Sequence, residues 1–143
     1  MKLLKILMIS LLLAGCGREE VLAQEPREKM AEVIVENQVF KVWYNEIKEQ
    51  PVKLVYTSTD RPKNVDRGSM NFYTERDYYT SNNADYYRNV WDKGHLAPAA
   101  TYSDSMENLK LTFSYLNCAL QNQYLNRGEW RLLEEQERVW DDE

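Results

Sequence analysis

Two strand-like segments stand before one long helical segment, and this order most constrains how the chain can fold. Val39–Ile47 mixes aromatic and β-branched residues with polar ones, and Lys53–Thr59 alternates polar and apolar side chains. We predict a turn between them around Gln50–Pro51. Asn126–Trp140 has helical spacing, so strands come first and a helix comes last. This order predicts an α+β fold with antiparallel strands and a C-terminal helix.

The middle of the chain is less regular. Thr59–Thr80 contains Asp, Asn, Pro and Gly without a clear period, which indicates a loop. Asp85–His95 is rich in aromatic residues and ends on a Gly-His pair. We predict a mostly buried strand over Thr112–Leu120, in which Cys118 is an inert core thiol. A length of 143 residues suits one domain.

The predicted helix carries the most informative pattern. Asn126 suits an N-cap, and Glu129 three residues later completes a capping-box pattern. A step of four residues turns a helix by only about 40°, so residues four apart share one stripe. The polar and aromatic side chains of that stripe are Asn126, Trp130, Glu134 and Arg138.

The first sixteen residues are typical of an export signal. Lys2 and Lys5 precede a short apolar run that ends in Leu13–Cys16, a segment that resembles the lipobox of bacterial lipoproteins. The resemblance implies a signal peptide over residues 1–15, lipidation of Cys16, a tether over residues 16–32 and a domain over residues 33–143. It also implies an exported protein anchored to a bacterial membrane. A plain secretory signal, or an apolar helix with an incidental Cys, is the alternative.

His95 is the only histidine of the chain and the first candidate for catalysis. A lone histidine is usually a satisfied polar residue, but Asp92 stands three residues before it and Gly94 allows close backbone approach. An imidazole titrates near neutrality and can take a proton from water. Without a second His or Cys nearby a zinc site is excluded, and a Ser–His–Asp triad lacks its usual turn motif.

The helix stripe offers ligands of the type that Mg²⁺ prefers. The ion takes one or two protein oxygens and keeps several waters, so the Asn126 amide and the Glu134 carboxylate suit it. A base, a sparse metal site and nearby arginines together favour phosphodiester hydrolysis. By themselves, however, Asn126 is equally an N-cap, and Glu134 with Arg138 is an ordinary helical ion pair.

The segment from Asp92 to Pro98, Asp-Lys-Gly-His-Leu-Ala-Pro, resembles the Asp-Arg-Gly-His signature of the DNA/RNA non-specific endonucleases, the ββα-metal or His-Me finger nucleases. A later block fits as well, and the likeness runs from about Val39 to the end. That block comprises Asn117, Gln121, Asn126, Gly128, Trp130, Leu133, Glu134 and Arg138.

The resemblance implies a ββα-metal finger in which a hairpin and the following helix hold one metal ion. It assigns His95 as general base, Asn126 as direct ligand of Mg²⁺ (or another hard cation such as Mn²⁺), and Glu134 as the holder of the ion's waters. Asn117 would support the loop of the histidine, and Arg138 would contact phosphate.

Three features depart from the family pattern. Lys93 stands where Arg is commoner, so the charge is kept but the forked donors are not. For the upstream arginine of the family, Arg67 is the first candidate and Arg76 the second. Members usually continue with further strands after the helix, so we expect the domain to be incomplete at its C-terminus: a fragment, a truncated gene product or a minimal version.

The leading hypothesis is therefore a metal-dependent endonuclease that cuts DNA, with RNA as a second candidate substrate. Formal charge is −5, which argues against a large basic surface. The alternative is a catalytically silent lipoprotein that binds a partner or nucleic acid. Aromatic residues between Phe72 and Trp91 could stack on bases, although packing is the commoner role of such residues.

Overall fold

The computed structural model describes residues 27–141. The predicted signal peptide, Cys16 and most of the tether lie outside these residues. The described chain forms a three-stranded antiparallel sheet, a separate two-stranded antiparallel hairpin and a C-terminal helical segment. The α+β class predicted from the sequence is confirmed.

The larger sheet carries most of the core. It comprises β1 (Val33–Glu36), β2 (Phe40–Asn45) and β3 (Gln50–Tyr56), with β2 in the centre. Every second side chain of β2 is buried, as expected for a strand with one face on a core. The core cluster joins this face to the second half of the chain through Val33, Val39, Phe40, Val42, Tyr44, Ala97, Tyr102 and Leu116.

The smaller sheet is a hairpin of distant segments. Strand β4 (Trp91–His95) pairs with β5 (Cys118–Asn122), so that His95 lies opposite Cys118. A short helix α1 (Met106–Thr112) and two 3-10 turns (Asn83–Tyr86 and Tyr115–Asn117) flank this hairpin. The order of hairpin and following helix agrees with the ββα arrangement.

The turn between β2 and β3 lies earlier than predicted. It occupies residues 46–49, not Gln50–Pro51. The Asn45 side chain accepts a hydrogen bond from the Lys48 backbone N–H at 2.8 Å, and Glu49 takes the left-handed conformation with φ 53°. Pro51 is compatible with a strand because β3 is an edge of its sheet.

The predicted strand over Thr112–Leu120 is only partly correct. Ser105 caps α1, which ends at Thr112, and a 3-10 turn follows before β5 begins at Cys118. A short buried apolar run does not distinguish a strand from a helix by its period, and this explains the error. The burial of Cys118 agrees with a core thiol, and burial also raises its pKa to about 12.

The predicted start of the last helix is wrong. Asn122, not Asn126, caps the helical segment, and its side chain accepts from the Tyr124 N–H at 3.0 Å. The segment runs through α2 (Gln123–Leu125), a π-helical turn (Asn126–Trp130) and α3 (Arg131–Asp141). Asn126 itself is helical (φ −59°, ψ −45°), so its side chain is free of the capping role.

Within residues 27–141, no helix combines the length and apolar character that a membrane crossing requires.

A buried carboxylate fastens the first described residues to the sheet. Glu46, in the turn after β2, is fully buried and accepts from the Arg27 guanidinium at 2.8 Å. It also accepts from the backbone N–H groups of Met30 and Tyr79, at 2.9 and 3.1 Å. The hydrogen bonds from Arg27, followed by those from the backbone, lower the pKa of Glu46 to about 2.

We expect Glu46→Gln to lower the free energy of unfolding by about 1–3 kcal/mol, because the variant loses the charge and leaves buried donors without an acceptor. Urea denaturation at neutral pH measures this. Glu49→Gln is the matched control, since Glu49 pairs with Lys29 at the surface and such pairs contribute little. Equal destabilisation by the two substitutions would contradict the role of Glu46.

Candidate active site

His95 ends β4 in an aromatic enclosure. Its ring centroid lies 4.5 Å from that of Phe72 and 4.8 Å from that of Phe113, which meets it edge-on. The Nε2 atom is buried and has no hydrogen-bond partner among residues 27–141. A buried nitrogen without a partner is rare in folded proteins and suggests a functional role.

This setting changes the protonation of the imidazole. Burial, and then the positive charge of Arg67, lower the pKa of His95 to about 3, well below the neutral range expected from the sequence. At pH 7 the ring is therefore neutral and keeps one nitrogen with a free lone pair. A neutral imidazole is the form that can accept a proton.

Asn117 holds the backbone that follows the histidine. Its buried amide accepts from the Ala97 N–H at 2.8 Å and donates to the Ala97 and Thr112 carbonyls at 3.0 and 2.8 Å. The Leu96 N–H donates to the Asn117 carbonyl at 3.0 Å. These bonds fix the direction in which the chain leaves β4.

Asp92 lies beside Asn126 and not beside the imidazole. Alternate residues of a strand point to opposite faces, and Asp92 and His95 are three positions apart. The Asp92 carboxylate accepts from Arg127 Nε and Nη2 at 2.8 and 2.7 Å and from Asn126 Nδ2 at 3.1 Å. The bonds from Arg127, opposed by burial, lower the pKa of Asp92. The carboxylate thus orients the amide of Asn126.

Asn126 and Glu134 are the residues of this cleft that could hold a hard cation. Because Asn126 Nδ2 donates to Asp92, its Oδ1 is the atom left for a ligand. Glu134 lies in the same cleft as His95, and burial raises its pKa, against the Trp130 hydrogen bond and the Arg138 charge. No group of three His, Cys, Asp or Glu residues in the described chain could hold a metal ion. The amide oxygen of Asn126 and the carboxylate oxygens of Glu134 are of the type that a hard cation such as Mg²⁺ accepts.

Two clefts, of about 630 and 570 Å³, meet at Arg67, His95 and Glu134. The second, here called the cationic cleft, has four basic side chains against two carboxylates on its walls. It brings together five of the predicted site residues: Arg67, Asp92, His95, Asn126 and Glu134. Its other charged residues are Lys93, Arg127 and Arg131.

The remaining candidates lie elsewhere. Asn117 is buried behind the histidine, as described. Arg138 lines a small cavity next to the first cleft, and its Nη1 is buried without a partner among residues 27–141. Arg67 is exposed and lies over the Phe113 ring at 5.2 Å. Arg76 is not among the residues that line either cleft.

Sequence reasoning missed one residue of the site, Arg127, and the contact that a second, Trp130, makes with the histidine. Arg127 binds Asp92 with two hydrogen bonds, and Trp130 donates from its indole to the His95 carbonyl at 3.1 Å. Trp130 was identified in the helical stripe and in the block that resembles the nuclease family, but without a contact to the histidine, and Arg127 directly follows Asn126 without belonging to any motif. Only the hairpin register, which places β4 beside the helical segment, reveals these contacts.

Comparison with known proteins agrees with this geometry. The family model described as "DNA/RNA non-specific endonuclease" matches residues 20–142, and the chain belongs to that family.

The relatives include mitochondrial endonucleases. The chain is 36% identical to endonuclease G of Bos taurus over 75 residues, covering 50% of this chain and 25% of the relative. It is 38% identical to nuclease EXOG of Danio rerio over 56 residues, covering 39% of this chain and 16% of that protein. The chain therefore matches a quarter or less of these relatives.

A solved structure of the EndoG/EndoGI complex contains the same fold. Its TM-score is 0.69 at 25% sequence identity, and the match covers 76% of this chain and 48% of the other. The ββα-metal architecture expected from the signature is thereby confirmed.

The partly buried imidazole should make the free energy of unfolding depend on pH. An unfolded histidine binds a proton below about pH 6.5, whereas folded His95 does not until about pH 3. The free energy of unfolding is therefore highest above about pH 6.5. Below that pH it decreases by up to about 1.4 kcal/mol per pH unit, because the unfolded chain binds a proton that the folded chain does not. Denaturation in EDTA between pH 7 and 5 measures it. The His95→Gln variant should lack this dependence on pH. If the free energies of unfolding of the variant and of wild type changed in parallel with pH, the lowered pKa of His95 would be contradicted.

Proposed function

We propose that this protein is a metal-dependent endonuclease that hydrolyses phosphodiester bonds of DNA, with RNA as a second substrate. One observation carries the proposal. A neutral, enclosed imidazole shares one cleft with an oriented amide oxygen, a half-buried carboxylate and four basic side chains. Such a combination suits the attack of water on a phosphodiester.

In this mechanism His95 takes the proton from the attacking water through its unprotonated ring nitrogen. Asn126 and Glu134 are the residues that would hold Mg²⁺ or Mn²⁺, Asn126 directly and Glu134 through water. A bound ion supplies Lewis-acid stabilisation of the charge that develops on the phosphate. Asp92 keeps the amide of Asn126 in one orientation, and the His95 carbonyl is fixed by Trp130.

Local charge supports the binding of a polyanion despite the net charge of −5. Arg67, Lys93, Arg127 and Arg131 line the cationic cleft, where they can neutralise phosphates. Binding should therefore weaken as salt rises, because each neutralised phosphate releases counterions.

Cleavage should require a divalent cation and Asn126. We expect nicking of supercoiled plasmid by wild type in Mg²⁺ and none in EDTA, and Asn126→Ala should lose at least about 100-fold of the rate. Because Asn126 does not cap the helix, this loss is not explained by capping.

Asn122→Ala is the matched control. It removes the real N-cap, which costs about 1 kcal/mol of stability, but it leaves the cation site intact. Its nicking rate at 20–25 °C should stay close to that of wild type. Equal loss in the two variants would attribute the effect to the helix, and no nicking by wild type would favour a catalytically silent protein.

We also propose that Cys16 is lipidated and anchors the exported protein to a bacterial membrane. The support is the ordered sequence of Lys2, Lys5, the apolar run and Leu13–Cys16, all outside the described residues. Several acyl chains on one residue would hold the protein firmly, whereas a single chain binds only marginally.

The Cys16→Ser variant should not be lipidated and should leave the membrane fraction. Fractionation of cells that express each form, followed by immunoblotting, measures this. Cys118→Ser is the control, because that thiol is buried in the domain and should not affect localisation. Membrane association of Cys16→Ser as complete as that of wild type would show that the lipobox interpretation is wrong.

A further inference from the structure

One end of the β4–β5 hairpin exposes large apolar side chains. Trp91 begins β4 and lies opposite Asn122 in the register, and the Gln123 N–H donates to the Val90 carbonyl at 3.1 Å. The start of β4 and the end of β5 therefore meet here and form one surface. We call it the aromatic patch, and its exposed members are Tyr87, Val90, Trp91, Tyr124 and Leu125.

The patch adjoins the proposed active site along β4. Because strand residues alternate, Trp91, Lys93 and His95 project from the same face of β4, and four residues of a strand span about 13 Å. Lys93 lies between the two ends and lines the cationic cleft. On the helical side, Leu125 immediately precedes Asn126. Trp91 is therefore two strand positions from Lys93, which lines the cleft, and within reach of a nucleic-acid strand that continues past that residue.

The residue types indicate what this surface binds. Trp91 is 42% exposed and Tyr124 is 81% exposed. Neighbouring exposed apolar side chains are a common feature of interaction sites. Aromatic rings beside a groove of basic residues are the combination with which proteins bind single strands, since every base has a face that can stack. Base pairs inside a duplex do not offer that face.

We propose that Trp91 forms a stacking subsite for an unpaired nucleobase of the strand held in the cationic cleft, with Tyr124, two residues after its partner Asn122, as the second ring. This subsite rests on the proposed nuclease function and adds to it a preference for single-stranded or locally unpaired nucleic acid. Its contribution is to binding, because the indole stands about 13 Å along the strand from His95.

The test compares two single strands of equal length and charge. One is an oligothymidylate and the other an abasic oligomer, which has the phosphates without the bases. Fluorescence anisotropy with the full chain in EDTA, where the proposed cleavage does not proceed, measures the affinities. Trp91→Ala should weaken binding of the oligothymidylate at least about fivefold and leave the abasic oligomer unchanged. Trp91→Phe, which keeps an aromatic face, should retain most of the affinity.

Trp140→Ala is the matched control, since Trp140 is also exposed but lies on α3 outside the patch. It should leave both affinities unchanged. If Trp91→Ala weakened binding of the two oligomers equally, or did not weaken binding of either, the proposal of a stacking subsite would be overturned. If Trp91→Ala instead abolished binding to anionic lipid vesicles and left the affinities for both oligomers unchanged, the patch would be a membrane-binding surface. Failure of wild type to bind either oligomer would contradict the nuclease proposal itself.

Discussion

The position of the catalytic candidate depends on one buried amide. Asn117 uses both the oxygen and the nitrogen of its side chain to join Ala97, just after His95, to Thr112 at the end of α1. Buried polar groups are expensive unless they are paired, so a fully satisfied amide favours a single arrangement of its neighbours. Through these bonds the segment after β4 is fixed to the same core that carries Phe113 and Tyr115, and the imidazole is enclosed as a consequence.

The charge of the cleft depends on which side chains line it and how they are paired, and not on the net charge of the chain. The chain has more acidic than basic residues, yet the cationic cleft collects Lys93, Arg127 and Arg131. Asp92 reduces this positive charge by binding Arg127, but it is also the group that orients Asn126. The same carboxylate therefore lowers the local positive charge and orients the amide of Asn126, which the composition of the chain does not reveal.

The sequence predicted those features that depend on a local pattern of residues. It was less informative about features that depend on contacts between residues distant in the chain. The His95 signature and the order of strands and helix predicted the fold class and the residues of the cleft. The cap of the last helix was misassigned because both Asn122 and Asn126 suit the position, and only the pairing of Asn126 with Asp92 distinguishes them. The pKa of His95 was equally unpredictable, since its cause is the enclosure by side chains distant in the chain.

The alternation of side chains along β4 gives each residue of the Asp-Lys-Gly-His signature different contacts. Asp92 points to the helical segment and Lys93 to the opposite face, where its ammonium lies 5.6 Å from the Tyr115 ring centroid. Gly94 returns to the first face, where a Cβ atom would collide with the side chain of Gln121. His95 then points to the second face again and ends the strand. Alternation by two residues thus separates Asp92, which orients the amide of Asn126, from His95, and the missing side chain of Gly94 leaves room for that of Gln121.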